Sequence, residues 1–312
     1  MAITREETEF ERAVAPHRAE LHAHCYRMLG SVADADDALQ EALLGAWRGF
    51  SGFEGRSSLR SWLYRIATNA CFQLLAQRPR RQVPSEQRAA SAPESALEPL
   101  VEGPLWLEPY PEDPEASLEA RQNVELAFVV ALQHLPAAQR ATLILREVVG
   151  MSAVEVAALL ETSVASVDSA LQRARRSVAE RVPAESQQTT LRTLGEPAVR
   201  ELVSRFIGAW ESANLPALLE LFAEDVKFSM PPIPNWFNGR HDVGRFFGER
   251  VFAWPWRLRS TRANGQLAFA CYQGPDFRPG ALNVITVANG KIAETIGFLD
   301  PTLFSRFRLP ER

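Results

Sequence analysis

Eight prolines lie between residues 79 and 114: Pro79, Pro84, Pro93, Pro99, Pro104, Pro109, Pro111 and Pro114, scattered among Glu, Ser and Ala. A stretch of this composition buries too little apolar surface to offset its ordering entropy, so residues 81–117 read as a linker. It divides a 312-residue chain that already exceeds what one hydrophobic core organises. Two or three domains follow.

Before the linker the pattern is helical throughout. Residues 5–29 carry Phe10, Val14, Leu21, Cys25 and Met28 near helical spacing, with a bend expected at Pro16 and a stop at Gly30. A second helix starts at Ser31 or Asp34 with an acidic first turn and ends near Gly49 and Gly52. From Leu59 to Leu75 the apolar positions follow i, i+3, i+4, i+7, i+8. After the linker, VELAFVVALQHL and AAQRATLILREVVG are helical runs separated by Pro136, and further short helices reach residue 182.

A second polar joint at 183–195 precedes a different texture. One amphipathic helix (Val199, Leu202, Val203, Phe206, Ile207, Trp210) leads into strand-like runs DVKFSM, WRLRST, LAFACYQ, LNVITVANG and KIAETIGF, with Asn289-Gly290 as a hairpin turn. Helices followed by antiparallel strands make residues 196–312 an α+β domain.

No apolar run approaches the roughly 20 residues that a membrane helix needs. The N-terminus MAITREETEFERAV has no apolar signal core. Cys25, Cys71 and Cys271 are odd in number and far apart, and His22, His24 and Cys25 crowd one helix. A reduced, cytoplasmic setting is expected, with no metal and no cofactor.

Net charge is −4, and residues 1–182 hold 19 Arg against 25 Asp plus Glu, so any nucleic-acid surface must be local. Two segments qualify. Residues 56–81 contain Arg56, Arg60, Arg65, Arg78, Arg80 and Arg81 and no acid, with Trp62 and Tyr64 among them, a set suited to gripping a single strand. Trp62 also sits on the apolar stripe, which favours a core place for it. In residues 150–181, Ser152 and Glu155 form a capping box, Thr162-Ser163 ends that helix, and the next helix runs to Arg173, Arg175 and Arg176. Two short helices with a basic second member match a helix-turn-helix.

DADDALQEALLGAWRGF followed by FEGRSSLRSWLYRIATNACFQLL resembles region two of extracytoplasmic-function (ECF) sigma factors. LPAAQRATLILREVVGMSAVEVAALLETSVASVDSALQRARRSV resembles their region four. The run Trp106-Leu107-Glu108-Pro109-Tyr110-Pro111, the SALQRAR ending and the tail resemble the subgroup with a SnoaL-like C-terminal extension. The resemblance implies a multi-domain protein: an all-α region two (1–80), an all-α region four with a helix-turn-helix (118–182), and an α+β, cone-shaped SnoaL-like domain (196–312). It implies a sigma factor that binds core RNA polymerase and directs promoter-specific initiation, with the C-terminal domain as an intramolecular regulator and a small ligand conceivable there.

Residue by residue, Asp34, Asp37, Gln40, Glu41 and Trp47 would meet the β′ clamp helices, while region four would sit on the β flap. Arg56, Ser57, Arg60, Trp62, Tyr64, Arg65 and Asn69 would serve the −10 element. Ser163, Ala165, Ser166, Asp168, Ser169, Gln172, Arg173, Arg175 and Arg176 would serve the −35 element. Many members carry Lys or Arg early in that helix; this chain has Asp168 and Ala170. Asp cannot neutralise a phosphate but can accept from a cytosine amino group. Without the resemblance, the acidic helix 34–48 reads as a solvated face with an apolar stripe of Ala38, Leu43, Leu44 and Trp47.

Relatives of the SnoaL fold include isomerases and cyclases with an Asp or His base, for which Asp225, His241, Asp242 and Asp276 are the candidates; each reads first as a turn or surface residue. Phe246, Phe247, Phe252, Trp254 and Trp256 read as core, or as the wall of a pocket. Three functions stay open: a sigma factor with a regulatory domain, a bifunctional sigma factor with an active enzyme, and a ligand-responsive helix-turn-helix regulator. The match to region two weighs against the last.

Overall fold

The computed structural model describes residues 5–55, 57–101, 103, 105–112 and 124–311. The chain forms two compact units: Met1–Arg81 with Asp113–Pro183, and Gln82–Glu112 with Ala184–Arg312.

The first unit is helical. Helix α1 (Arg5–Val14) meets a 3-10 turn at Ala15–His17, where Pro16 interrupts the run, and α2 (Arg18–Leu29) ends at Gly30 with φ 70°. In α3 (Val32–Phe50) the Ser31 hydroxyl caps by accepting from Asp34 N at 3.1 Å. Helix α4 (Leu59–Gln77) is capped in the same way by Ser58. Ala35, Ala38, Ala42 and Ala46 are the buried line of α3, and small residues at this spacing let helices approach closely. Next come α5 (Leu126–Gln133) and α6 (Ala137–Leu143), the latter continuing as a π-helical turn over Ile144–Val148. The pair α7 (Ala153–Leu159) and α8 (Val164–Ala179) closes the unit. Residues of α5 and α6 bind the end of α2: Arg140 donates to Met28 O and Gln133 Nε2 donates to Arg27 O at 3.3 Å.

The second unit carries a six-stranded sheet in the order β2-β1-β6-β5-β4-β3, antiparallel except for the β1–β6 pair. The strands are β1 (Phe222–Met230), β2 (Ile233–Asn238), β3 (Trp256–Ala263), β4 (Gln266–Gln273), β5 (Arg278–Ala288) and β6 (Lys291–Phe298). Asn289 and Gly290, both at positive φ, make the β5–β6 turn, as the Asn-Gly pair requires. Helices α9 (Gln187–Leu194), α10 (Glu196–Glu211), α11 (Leu215–Leu221) and α12 (Arg240–Glu249) accompany the sheet, with α13 (Thr302–Arg306) near the end of the chain. Phe206 and Trp210 from α10 and Phe246 and Phe247 from α12 share one core with Phe228, Phe237 and Phe269 of the strands. Ring centroids there approach to 4.5 Å for Phe206–Phe269 and 4.2 Å for Phe237–Phe246.

Two segments expected as linkers contribute residues 82–112 and 184–195 to this unit, while residues 102, 104 and 113–117 of the first lie outside the described residues. Residues 82–112 hydrogen-bond to this unit through their backbone: Ser91 N donates to Trp236 O at 2.7 Å and Val101 N to Pro232 O at 3.0 Å. Glu98 N donates to Asn235 Oδ1 at 2.8 Å and Tyr110 N to Asn264 Oδ1 at 2.7 Å. Leu97 packs on the aromatic core, and Trp106 and Leu107 are buried. The segment thus forms a strap whose partners lie more than a hundred residues away. In 183–195, Ser186 caps α9, and Gln187 exchanges hydrogen bonds with Val287 of β5.

Candidate nucleic-acid interface

On α3 the alanines face the bundle, which leaves a second line of apolar residues outward. Leu39, Leu43 and Trp47 recur every four positions and, with Leu44, Gln40 and Phe10, line an open groove of about 460 Å³. Trp47 is half-buried with its ring edge-on to Phe10 at 5.3 Å, and Leu44 is 41% exposed. The sequence reading merged the two stripes, took Phe10 only as an apolar position of the first helix and did not name Leu39; the i, i+4, i+8 recurrence of bulky residues was the available signal. Asp37, Gln40 and Glu41 are exposed, but of these only Gln40 lines the groove, and Asp37 lies 3.6 Å from Arg78. Asp34, by contrast, is 2% exposed and pairs with Arg78 and Arg81, so its carboxylate serves the interior rather than a partner.

The loop before α4 includes Arg56, which lies outside the described residues. Ser57, Arg65 and Asn69 are exposed. Arg60 is occupied internally: its guanidinium pairs with Glu20 at 2.8 Å, lies 5.1 Å from the Tyr64 ring centroid, and donates to Val149 O at 3.4 Å. Tyr64 is 2% exposed and its hydroxyl donates to Glu20 Oε2 at 3.1 Å, so its ring is unavailable to a base. Burial alone raises the Glu20 pKa, but bonds from Arg60, His17 and Tyr64 outweigh it and hold the carboxyl below its ordinary value. Trp62 is half-buried, tilted against Phe53 at 5.0 Å. Beneath this surface His24 is fully buried against Thr68 Oγ1 at 3.0 Å, and burial followed by the nearby Arg27 charge lowers its pKa to about 3. Cys25 and Cys71 are buried free thiols in the same interior, and burial followed by the hydrogen bond with Cys25 pushes the Cys71 thiol up.

The helix-turn-helix is built as its sequence requires. Ser152 and Glu155 complete a reciprocal capping box on α7, at 3.2 and 2.8 Å. Glu161, at φ 53°, turns the chain, and the Ser163 hydroxyl caps α8 by accepting from Ser166 N at 3.1 Å. Val167, Leu171 and Ala174 are buried against the unit. Every residue expected at the −35 element is exposed: Ser163, Ala165, Ser166, Asp168, Ser169, Gln172, Arg173, Arg175 and Arg176. Arg175 pairs with Glu147, whereas Arg173 and Arg176 have no ion pair among the described residues.

In the second unit the candidates for a general base do not converge. Asp225, His241 and Asp276 are exposed, Asp242 is half-buried, and His241 and Asp242 touch only as chain neighbours at 2.9 Å. Of the aromatic run, Phe246 and Phe247 are core, Phe252 and Trp256 pack at its margin, and Trp254 is 54% exposed. Asp276 Oδ2 lies 3.6 Å from Arg278.

Comparison with known proteins agrees with this division. Residues 13–81 match Sigma-70 region 2, residues 125–178 match Sigma-70 region 4, and residues 203–295 match the SnoaL-like domain. The ECF RNA polymerase sigma factor SigG of Mycobacterium tuberculosis is 40% identical over 97% of this chain and 84% of its own length. SigJ of the same organism is 28% identical over 98% of this chain and 96% of its own. The crystal structure of SigJ superposes with a TM-score of 0.60, at 22% identity, covering 98% of this chain and 99% of that one. A helical pair of sigma regions followed by an α+β domain is the fold they share. The chain belongs to the ECF sigma factor family, in the branch that carries a SnoaL-like C-terminal domain.

Proposed function

We propose that the chain binds core RNA polymerase in the cytoplasm through the α3 groove and reads promoters with α8 and with the exposed part of the loop–α4 surface. The exposed face of α8 carries the reading. Its N-terminal half offers Ser163, Ser166, Asp168, Ser169 and Gln172, short polar side chains able to reach base edges, and its C-terminal half offers Arg173 and Arg176 for phosphates. The α3 groove, apolar at its floor and lined also by Asp36 and Gln40, suits a partner helix such as the β′ clamp helices, with Asp37 and Glu41 exposed elsewhere on α3, and region four would rest on the β flap. At the −10 element, Ser57, Arg65 and Asn69 are the accessible residues. Among the described residues, no helix is long and apolar enough to cross a membrane.

The C-terminal domain acts in this reading as an intramolecular regulator rather than an enzyme. The support is that its base candidates are exposed or half-buried outside the core and that aromatic side chains pack the core between its sheet and helices. Its means of control is the strap 82–112, which is joined covalently to both sigma regions.

Run-off transcription with bacterial core polymerase on a genomic promoter library tests the proposal. Defined start sites are expected from the wild-type chain. Asn235→Ala with Asn264→Ala, which removes two of the strap's side-chain partners, should change the yield without moving the start sites. No initiation under any condition would favour the ligand-responsive helix-turn-helix regulator, and unchanged yield would remove the regulatory role of the strap.

A further inference from the structure

The charge of this chain runs opposite to the location of its two sigma regions. Residues 1–182 have more acids than bases, whereas residues 250–312 hold nine basic residues against four acidic ones. Part of that excess is gathered on one face of the sheet. Arg257 and Arg259 are alternate residues of β3, so both side chains leave the same side, about 7 Å apart along the strand. That side is opposite to Leu258, which belongs to the aromatic core.

Both guanidinium groups lie against rings. Arg257 is 4.1 Å from the Phe277 centroid and Arg259 is 6.0 Å from that of Tyr272. Tyr272 is fixed in turn, edge-on to Phe304 of α13 at 5.1 Å, with its hydroxyl donating to Pro310 O at 2.8 Å. The two arginines are exposed, and among the described residues neither has an ion pair. The nearest acid along the chain from Phe277, Asp276, is directed to Arg278. Arg308 follows α13 on the same side of the domain, exposed, next to Leu309, which packs on Tyr272 and Phe304.

Arg257, close over the Phe277 ring, keeps its in-plane N–H donors free, Arg259 lies at the outer limit of contact with Tyr272, and the two unneutralised guanidinium groups fit the oxygens of successive phosphates. We propose that this face, centred on Arg257 and Arg259, binds the sugar–phosphate backbone of duplex DNA, giving the protein a DNA-binding surface outside both sigma regions. The proposal extends the sigma factor reading, under which DNA is already held in the same complex. It carries no sequence preference, since phosphates are the same at every step. It also accounts for how an acidic sigma portion could be held near DNA.

The test is fluorescence anisotropy of the full-length chain with a labelled random-sequence duplex of about 30 base pairs, over a series of salt concentrations from about 20 mM upward. For Arg257→Ser with Arg259→Ser, the slope of log K against log salt should fall by about 1.8, which is 0.9 for each phosphate released. Arg173→Ser with Arg176→Ser, on α8, should lower the slope separately, and the two reductions should add. Unchanged melting of the variants shows that the fold is kept, and run-off transcription shows independently whether the chain is a working sigma factor. An unchanged slope in the β3 variant overturns the proposal, as does absence of wild-type binding at the lowest salt. Retained DNA binding with weakened affinity for core polymerase overturns it too, and assigns the face to an acidic protein surface.

Discussion

Helices α4 and α8 are both arginine-bearing and both expected to meet DNA, yet the fold uses their charges in opposite ways. Around α4, Arg60 is tied to Glu20 and the following Arg78 and Arg81 converge on Asp34. On α8, Arg173 and Arg176 face solvent without an ion pair among the described residues. The difference lies in the carboxylates brought alongside, not in the arginines. A buried acid recruits the nearest cation because an isolated buried charge costs far more than a paired one. Positive residues in a sequence therefore mark a nucleic-acid surface only when no buried acid claims them.

The largest effect that would break this comparison is at Asp34. In Asp34→Ala, Arg81, only 6% exposed, would lose its buried carboxylate, and the expected destabilisation is about 3–5 kcal/mol in urea unfolding. A change below about 1 kcal/mol would show that the α4 side does not depend on its internal pairs.

The next effect concerns pH. The folded pKa of His24, about 3, lies below its ordinary 6.5, so between those values the unfolded chain binds a proton that the folded chain does not. Stability should thus fall as the pH drops below about 6.5, by up to roughly 1.4 kcal/mol per unit. Glu20, whose pKa is lowered, adds a further decrease only below its ordinary 4.5, as its pairing with Arg60 is protonated away. His24→Gln should flatten the curve between about pH 6.5 and 4.5 while leaving the steeper acid limb. A curve that keeps its slope in that variant would place the titrating group elsewhere.

The α8 side should respond in the opposite manner. Arg173→Ala with Arg176→Ala should leave unfolding free energy within about 0.5 kcal/mol. Promoter binding by the holoenzyme should weaken about equally across sequences, with the salt slope of log K reduced by about 1 for each arginine that contacts a phosphate. Reduced stability with undiminished binding would reverse the assignment. The smallest expected effect is Ser152→Ala, which removes half of the capping box and should cost about 1 kcal/mol of stability.

Much of the site was legible in advance where the signal is local. The Ser152–Glu155 pair and the break at Thr162-Ser163 placed α7 and α8, while the burial of Val167 and Leu171, which leaves the opposite face of α8 outward, came with the structure. The Asn289-Gly290 turn placed β5 beside β6. Strand β2 was missed because Pro232 and Pro234 interrupt the pattern around IPNWFN, yet an edge position tolerates proline, since only one side needs ladder bonds. Asp225, His241, Asp242 and Asp276 were read as turn or surface residues from their neighbours, and none of them enters the core.

What the sequence by itself determined is most of the elements, with β2 and α9 as exceptions, several caps, the helical and strand periodicities and the division into helical and α+β parts. These depend on interactions within a few residues, which are written in the order of the chain. Tertiary structure alone decided the fate of the polar groups. Tyr64 meets Glu20 across 44 residues and Arg81 meets Asp34 across 47, while the strap reaches Asn235 and Asn264 across 137 and 154. Such partners approach only after helices and sheet have packed. In that interior an unpaired charge or an unbonded backbone group is costly, so packing settles which residues remain free to bind DNA.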